Sequence, residues 1–278
     1  MGFFDFLKAD TKKVIEYPSC TIESDFSEFH KVTHYIYEKS GIVDLEKRAL
    51  TGSKLQKYAQ EKKIYTTQSF LEEMKVNKTF YQEIINIATV NETFFLRELT
   101  ELQWLVEYIQ QQNRPLKILS IPSSSGEEIY SIALLLDQKN VDRSKISFYG
   151  YDINSYAIKC AKKGEYNEHS LHKLDQNLKE KYFTKLADKE YKISTYLQNN
   201  TSFEQKNIFD ITQKEEFDVI LSRNMFIYFD TKNRVKALDT IVTLLKKNGI
   251  YIKGHADNIQ PHLKLRTLAF GIYQKNQY

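Results

Sequence analysis

Residues 117–130 read KILSIPSSSGEEIY and combine an aliphatic run, a small-residue loop and two adjacent carboxylates. The run predicts a buried strand, and a helical pattern begins at Glu127 and Glu128. In an open α/β sheet, this order presents backbone N–H groups to a nucleotide-like ligand. Two glutamates would repel a phosphate, so they favour a ligand with positive charge or with hydroxyl and amino donors. Serine caps and first-turn glutamates also stabilise helices that bind nothing, so both interpretations stay open at this point.

Polar residues also end the strands predicted further along the chain. Residues 146–153 (ISFYGYDI) predict a second buried strand, and Asp152 follows the glycine loop by about 20 residues or more, where a carboxylate binds ribose hydroxyls. Two later strands, predicted at 203–208 and 217–222, end in polar residues at the same sheet edge. The candidates at these strand ends are Asp152, Asn207, Ile208, Ser222, Arg223, Asn224 and Met225. Loop asparagines are also common turn formers, so each is a weak signal alone.

The remaining polar candidates favour a reaction that depends on positioning. Segment 91–97 (NETFFLR) surrounds two phenylalanines with polar groups, and Tyr228 lies in the motif RNMFIYFD. Arg97 is equally consistent with a surface arginine, and an isolated tyrosine is usually a packing residue. No His/Cys/Glu cluster has metal-ligand spacing, so we expect no metal, and no serine elbow or Cys/His pair indicates covalent catalysis. Methyl transfer from a sulfonium donor is consistent with these residues, because the reaction needs only alignment of the reactants and a desolvated site.

Composition indicates a folded protein with a sizeable core, since 41% of the residues are hydrophobic and 27% are charged. The 40 lysines and arginines against 36 acidic residues give a net charge of +4, which is too mild to indicate nucleic-acid binding. No apolar run approaches the roughly 18 residues of a membrane span. Cys20 and Cys160 lack metal-ligand spacing. We therefore expect a cytoplasmic protein with reduced thiols and no membrane insertion.

Helical periodicity precedes the sheet pattern. Apolar residues recur at threes and fours from 25 to about 88, which predicts an N-terminal helical domain at 1–90. Alternating β and α patterns predict an α/β domain at 91–278 with a mostly parallel sheet. Residues 164–202 interrupt this pattern with a polar, tyrosine-rich stretch and a short alternating piece at 191–196, so we predict an inserted small β-subdomain. The N-terminal helices are expected at 25–40, at 45–60, after Thr67 and around 80–87.

Six motifs together resemble the CheR family of chemotaxis receptor methyltransferases. They are NETFFLRE (91–98), SSSGEEIYS (123–131), YGYDI (149–153), KNIFD (206–210), FDVILSRNMFIYFD (217–230) and GIYIKGHADN (249–258). Each motif is weak alone, but six in the family's order are a strong signature. The resemblance implies a Rossmann-like fold that uses S-adenosyl-L-methionine and releases S-adenosyl-L-homocysteine. It also implies glutamate methylation on the cytoplasmic helical bundle of methyl-accepting chemotaxis receptors, by an enzyme that we expect to be a monomer.

The resemblance further implies a set of donor-binding residues and two residues at the reacting centre. The donor-binding set is Asn91, Thr93, Arg97, Glu127 or Glu128, Asp152, Asn207, Ile208, Asn224 and Met225. Within it, Asp152 matches the acid on the ribose, and the glutamates match the acid near the methionine part. Arg97 and Tyr228 match the catalytic positions. We expect Arg97 to orient the acceptor carboxylate and Tyr228 to position that carboxylate or the donor methyl group.

Departures from the family pattern leave every expected polar contact in place. Pro122 and Ser123 stand where Ala and Cys are common, Ile129 stands where Pro is common, and Ile208 replaces a usual leucine. In some members the inserted subdomain binds a receptor's C-terminal pentapeptide. Residues 164–202 show no glycine signature for that interaction.

Two other functions and one surface are also compatible with the sequence. A methyltransferase of nucleic acid or small molecules is disfavoured by the mild charge and the lack of an NPPY-like motif, although SRNM at 222–225 has a comparable position. A non-catalytic sensor of the donor is disfavoured by Arg97 and Tyr228 beside the donor positions. The basic stretch 47–63 is a solvated face by default, and with the resemblance it is a candidate contact for the acidic face of a receptor coiled coil.

Overall fold

The computed structural model of the protein describes residues 25–43, 49–89 and 92–277. These ranges contain a group of N-terminal helices, an α/β sheet and a small inserted sheet. The N-terminal helices are α1 (His30–Ser40), α2 (Ala49–Glu61), α3 (Thr67–Val76) and α4 (Lys78–Ala88). The expectations for Asn91, Cys20 and the first part of the basic stretch, residues 47–48, fall outside the described residues.

Local capping explains where the N-terminal helices begin and end. The side chains of Thr66 and Asn77 accept hydrogen bonds from first-turn N–H groups of α3 and α4. Gly41 ends α1 as expected, with φ 78° in the left-handed region. The start of α1 differs from the expectation, because the Asp25 carboxylate accepts bonds from Ser27 in a turn that precedes the helix. The helices pack around one apolar core formed by Val32, Ile36, Leu55, Phe70, Met74, Phe80, Ile84 and Ile85.

A seven-stranded sheet follows the N-terminal helices. Its strands have the order β6-β2-β1-β7-β8-β10-β9, and they are parallel from β6 to β8, whereas β10 is antiparallel to both of its neighbours. The elements are α5 (Leu99–Gln110), β1 (Leu116–Ser120), α6 (Glu127–Gln138), β2 (Ile146–Asp152), α7 (Ser155–Lys163), β3 (Glu165–Asn167), α8 (Gln176–Tyr182), β4 (Phe183–Ala187), β5 (Glu190–Ile193), α9 (Thr195–Gln198), β6 (Thr201–Gln205), β7 (Phe217–Ser222), α10 (Thr231–Leu244), β8 (Leu245–Lys253), β9 (Leu265–Ala269) and β10 (Ile272–Lys275). The chain runs outward from β1 to β6 and returns to continue with β7 on the other side of β1, which places a topological switch point between β1 and β7.

The mixed α/β fold and its inserted sheet confirm the expected fold class. Strands β3, β5 and β4 form a separate antiparallel sheet between α7 and β6. The strand expected at 203–208 lies at 201–205, so Asn207 and Ile208 belong to the turn after it. The last two strands, β9 and β10, form a hairpin with Gly271 at φ 72° in its turn. Among the described residues, no helix combines the length and apolar character needed to cross a membrane.

Candidate active site

A cavity of about 340 Å³ opens at the carboxyl ends of the parallel strands, beside the switch point. This volume lies in the usual range of small-molecule sites. Four chain segments that follow β1, β2, β6 and β7 contribute to its lining, as expected for an open α/β sheet. The lining includes Thr93, Arg97, Glu128, Asp152, Asn207, Ile208, Asn224, Met225 and Tyr228.

The loop between β1 and α6 is held in one conformation by its backbone. Ser123 N donates to the Tyr151 carbonyl at 2.8 Å, and Gly126 N donates to the Ser123 carbonyl at 3.0 Å. Gly126 precedes α6 with φ 91°, a conformation that favours glycine. A Cβ atom at this position would also lie 3.1 Å from atoms of Ala161, Phe203 and Tyr130. The glycine therefore permits both the turn and its close packing.

The two glutamates that start α6 have different environments. Glu128 lines the cavity, and its carboxylate accepts hydrogen bonds from Ser120 Oγ at 2.8 Å and from Arg223 Nη1 at 2.5 Å. Glu127 is buried and lies outside the cavity lining, where its carboxylate accepts from Ser125 Oγ at 2.8 Å and from Ser170 Oγ at 3.2 Å. Burial raises the pKa of Glu127 to about 7. The structure thus brings Glu128, and not Glu127, to the cavity.

Arg223 joins the start of α6 to the segment that carries Arg97. Its buried guanidinium donates from Nε to Glu98 Oε2 at 3.1 Å, from Nη1 to Glu128, and from Nη2 to the Arg97 carbonyl. Burial alone would lower the pKa of Arg223, but the carboxylates of Glu128 and Glu98 raise it. Sequence reasoning named Arg223 only within the strand-end stretch 222–225 and missed its role in joining Glu98 to Glu128.

The expected ribose carboxylate lies at the cavity. Asp152 is buried, and its two oxygens accept hydrogen bonds from Ser124 N and Asn154 N, both at 2.8 Å. Burial raises the pKa of Asp152 to about 6, against these two bonds, which lower it. The backbone bonds fix the carboxylate at the end of β2, where it meets the loop after β1.

The two asparagine-containing pairs lie on opposite sides of the switch point. Asn207 Oδ1 accepts from Phe209 N at 3.1 Å, which caps a 3₁₀ turn, and Asn207 Nδ2 donates to the Lys39 carbonyl at 3.3 Å. Asn224 has φ 60°, and its backbone N donates to Asp257 Oδ2 at 2.5 Å. Ile208 and Met225, the apolar members of the pairs, are buried in the cavity lining.

Asp257 is a second residue that sequence reasoning missed. Besides Asn224 N, its carboxylate accepts from Phe226 N at 2.9 Å and from Gly254 N at 3.2 Å. Burial raises the pKa of Asp257 to about 6, although these backbone bonds lower it. Asp257 therefore fixes the backbone between β7 and Tyr228 from the segment after β8, and its position in the motif GHADN was the available signal.

Arg97 and Tyr228 meet at the same cavity. Arg97 Nη1 donates to the Glu92 carbonyl at 2.5 Å, and its guanidinium lies 5.7 Å from the Phe94 ring centroid. Within the described ranges, Arg97 has no carboxylate partner at ion-pair distance. The Tyr228 carbonyl accepts a hydrogen bond from Val43 N at 2.9 Å, so the segment after α1 packs on this side of the cavity.

A cluster of three potential metal ligands was also not visible in the sequence. Glu98, Glu101 and His255 each offer one ligand atom, and these atoms lie within 4.8 Å of one another. Glu101 and His255 are separated by 154 positions. The expectation of no metal came from spacing along the chain, which cannot detect such a long-range cluster.

The cavity lining fits S-adenosyl-L-methionine, the donor expected from the resemblance. Asp152 offers acceptor oxygens for ribose hydroxyls, and Glu128 offers a carboxylate for a cationic group. The buried hydroxyls of Ser123 and Ser124 have no hydrogen-bond partner within the described ranges, although both residues line the cavity. Such buried polar atoms require a partner, and a polar ligand supplies one.

Comparisons with known proteins agree with this fit. Residues 91–271 match the family model described as CheR methyltransferase, SAM binding domain. The chain is 36% identical to a chemotaxis protein methyltransferase of Campylobacter jejuni, over 85% of this chain and 89% of that protein. It is 28% identical to chemotaxis protein methyltransferase 2 of Vibrio cholerae (92% and 94% covered) and 27% identical to the Escherichia coli chemotaxis protein methyltransferase (86% of each).

The matched domain covers more than half of the chain and contains every element that lines the sheet edge of the cavity. The Campylobacter relative is similar over most of both proteins. The cofactor is therefore S-adenosyl-L-methionine, and the chain belongs to the CheR family of methyltransferases.

Proposed function

We propose that the protein forms methyl esters on glutamate side chains in the cytoplasmic domains of bacterial chemoreceptors. The observation that carries this proposal is the presence of Arg97 and Tyr228 in the lining of one cavity with Asp152 and Glu128. The relatives named as chemotaxis protein methyltransferases support the substrate class. An acceptor in the receptor's cytoplasmic helices would place the enzyme in the cytoplasm.

The residues proposed to hold the donor are those that line the cavity at the strand ends. We assign Asp152 to the ribose hydroxyls and Glu128 to the positively charged amino group of the methionine part. Ile208 and Met225 supply apolar surface around the adenine and methionine parts. The remaining proposed contacts are Thr93, Arg97, Asn207 and Asn224, together with Asn91, which stays a prediction from the resemblance.

Glu127 has a supporting role in this proposal. Its carboxylate accepts hydrogen bonds from Ser125, in the loop between β1 and α6 that we call the donor loop (residues 121–126), and from Ser170 in the inserted segment. The Ser170 carbonyl in turn accepts from Phe95 N at 2.9 Å, close to Arg97. Glu127 therefore connects the donor loop with the segment that carries the proposed catalytic arginine.

The acceptor needs placement and desolvation more than proton transfer. A glutamate carboxylate is ionised near neutral pH, so no general base is required. Bound S-adenosyl-L-methionine supplies an electrophilic methyl group on a sulfonium that leaves as a neutral thioether. Arg97 is proposed to orient the acceptor carboxylate by a charge-assisted hydrogen bond, and Tyr228 is proposed to fix its angle of approach. The hydrogen bond from Arg97 must be moderate in strength, because strong neutralisation of the acceptor carboxylate would lower the nucleophilicity of its attacking oxygen.

We propose a helical domain at 1–90, a donor-binding domain at 91–278 and an inserted subdomain at 164–202. The contacts of the helical region support a direct role in the site. Ser40 and Ile42 line the cavity, and Val43 N donates to the Tyr228 carbonyl. Correct placement of Tyr228 is thereby linked to the N-terminal helices.

The test separates donor binding from methyl transfer in Arg97→Ala. We expect methyl incorporation from labelled donor into a receptor cytoplasmic fragment to fall at least about 100-fold, because acceptor orientation is lost. Donor affinity, measured by calorimetry, should change much less. The matched control is Arg266→Ala, since Arg266 is an exposed arginine outside the cavity lining. Full activity of Arg97→Ala would reject the role, and donor binding without methylation by the unmodified protein would instead indicate a sensor.

The basic surface formed by α2 and the turn after it is the proposed contact with the acidic face of the receptor. Lys57 and Lys63 are exposed, and Lys62 is half-exposed beside Glu83 at 3.8 Å. Raising the salt concentration should therefore weaken receptor methylation more than donor binding. Charge reversal at Lys57 should reduce methylation of the receptor fragment without changing donor affinity. Equal salt effects on both measurements would argue against this surface.

A further inference from the structure

The cluster of Glu98, Glu101 and His255 adjoins the cavity through Arg223. Glu98 Oε2 accepts from Arg223 Nε at 3.1 Å and from His255 N at 3.3 Å. His255 Nε2 lies 2.5 Å from Glu101 Oε1. Two residues come from the start of α5 and the segment before it, and the third follows β8. The cluster is therefore assembled by the fold and does not belong to the proposed donor contacts.

One oxygen of this cluster lacks a partner. Glu101 is 4% exposed, and its Oε2 atom is buried without any hydrogen-bond partner among the residues that the structure describes. A buried carboxylate oxygen without a donor is costly, because its hydration is lost and not replaced. The unpaired oxygen belongs to the residue that already contacts His255, which points to a missing cationic ligand at this place.

The charges of the surrounding network point in the same direction. The carboxylates of Glu98, Glu101 and Glu128 are connected with one guanidinium, that of Arg223, and with the imidazole of His255. Three negative charges and one positive charge leave an excess of two negative charges when the imidazole is neutral. A protonated imidazole would cancel only one of them, whereas a divalent cation would cancel both.

We propose that Glu98, Glu101 and His255 bind a divalent metal cation of the zinc class. One imidazole nitrogen and two carboxylate oxygens are common ligands of Zn²⁺, and three protein ligands leave one position for water. Binding requires the neutral imidazole, so the proton between His255 and Glu101 is displaced to solvent. This site goes beyond the proposed methyl transfer and does not rest on it.

The position of the site also gives it a route to the cavity. Glu98 is shared between the proposed metal and Arg223, whose Nη2 holds the carbonyl of Arg97. Occupancy therefore changes the charge that faces the guanidinium beside the proposed catalytic arginine.

The test is calorimetric titration of the chelator-treated full chain with zinc chloride, without methyl donor or receptor. We expect one saturable site per chain and a rise in the thermal midpoint with zinc, because the cation binds the folded state. His255→Ala removes a half-exposed ligand, so the variant should fold, and it should bind zinc at least about tenfold more weakly. Glu101→Gln should lose affinity as well. The control is His262→Ala, because His262 also lies beside a carboxylate, Asp239 at 3.1 Å, but outside the cluster.

Each outcome decides the proposal. Binding that is lost in His255→Ala and Glu101→Gln but kept in His262→Ala supports it. Equal affinity of the unmodified chain and folded His255→Ala overturns it, as does loss of binding in His262→Ala alone. Absence of saturable zinc binding also overturns it.

Discussion

Arg223→Gln should destabilise the protein far more than loss of a surface arginine. The Arg223 side chain is 5% exposed, and the carboxylate-bearing side chains of Glu98 and Glu128 are each 12% exposed. Glutamine keeps some polar contacts but removes the positive charge from between two largely buried carboxylates. Removing one partner of a buried ion pair typically costs about 3–5 kcal/mol, and we expect a loss in this range. The matched change Arg266→Gln, at an exposed arginine bonded to Gln274, should cost about 0–1 kcal/mol.

Urea unfolding followed by the fluorescence of Trp104 measures both changes, because this single tryptophan lies on α5 and packs against the core that unfolding exposes. The double variant Arg223→Gln/Glu128→Gln should recover part of the loss, since it also removes one uncompensated carboxylate. A decrease of less than about 1 kcal/mol in the free energy of unfolding of Arg223→Gln would refute the reasoning. The reasoning would also be refuted if the effects of Arg223→Gln and Glu128→Gln on the free energy of unfolding simply added in the double variant, because additive effects indicate that the two residues do not interact.

Three further predictions concern the donor loop and its supports. The folded-state pKa of Glu127, about 7, exceeds the ordinary 4.5, so its contribution to stability is complete below pH 4.5 and is lost as the pH rises through 7. Glu127→Gln should reduce the decline of the unfolding free energy between pH 5 and 8, and the part that remains comes from Asp152 and Asp257, whose pKa values are also raised, to about 6. An unchanged pH slope would contradict the assignment. Asp257→Asn should weaken the donor affinity measured by calorimetry about tenfold, because the charged hydrogen bond from Asn224 N to the Asp257 carboxylate is worth about 1.5–3 kcal/mol. Unchanged donor affinity would exclude a supporting role of Asp257. Gly126→Ala should lower the free energy of unfolding by at least about 1–2 kcal/mol, because Gly126 has φ 91° and close contacts around its Cα. The control Gly52→Ala lies in a helix with open space around it and should be neutral or stabilising. Equal effects of the two substitutions would contradict this reasoning.

The regular elements could be predicted where one pattern dominates the local sequence. The prediction of strand 217–222 was confirmed at both ends, because the apolar run Val219, Ile220 and Leu221 is typical of a strand buried on both faces. The end of α10 was harder to predict from the sequence. An Asn-Gly pair such as Asn248–Gly249 is typical of a helix end, but α10 ends at Leu244, and both residues lie within β8, where Asn248 has φ 61° and the pairing with β7 shifts register. A turn-forming pair thus marked an irregularity in a strand, which depends on pairing with β7 and not on local propensity.

The two glutamates of α6 show why the site could be predicted only in part. Successive residues on a helix point in directions about 100° apart, so only one of two neighbours can face a given cavity. The structure brings Glu128 to the cavity and packs Glu127 against the inserted segment. Which neighbour faces inward depends on how α6 packs on the sheet. The sequence motif, which treats both carboxylates alike, does not contain that information.

The missed residues are those whose role consists of holding other residues across long sequence separations. Arg223 contacts the Arg97 carbonyl across 126 positions, and Asp257 contacts Asn224 N across 33. Neither contact leaves a periodic or spaced pattern, because each depends on which loops meet at the switch point. Arg223 connects the carboxylate of Glu128 to the segment of Arg97, and Asp257 separately fixes the turn before Tyr228. Under the proposed function, in which Glu128 binds the donor and Arg97 orients the acceptor, Arg223→Gln should therefore weaken both donor affinity and methyl transfer.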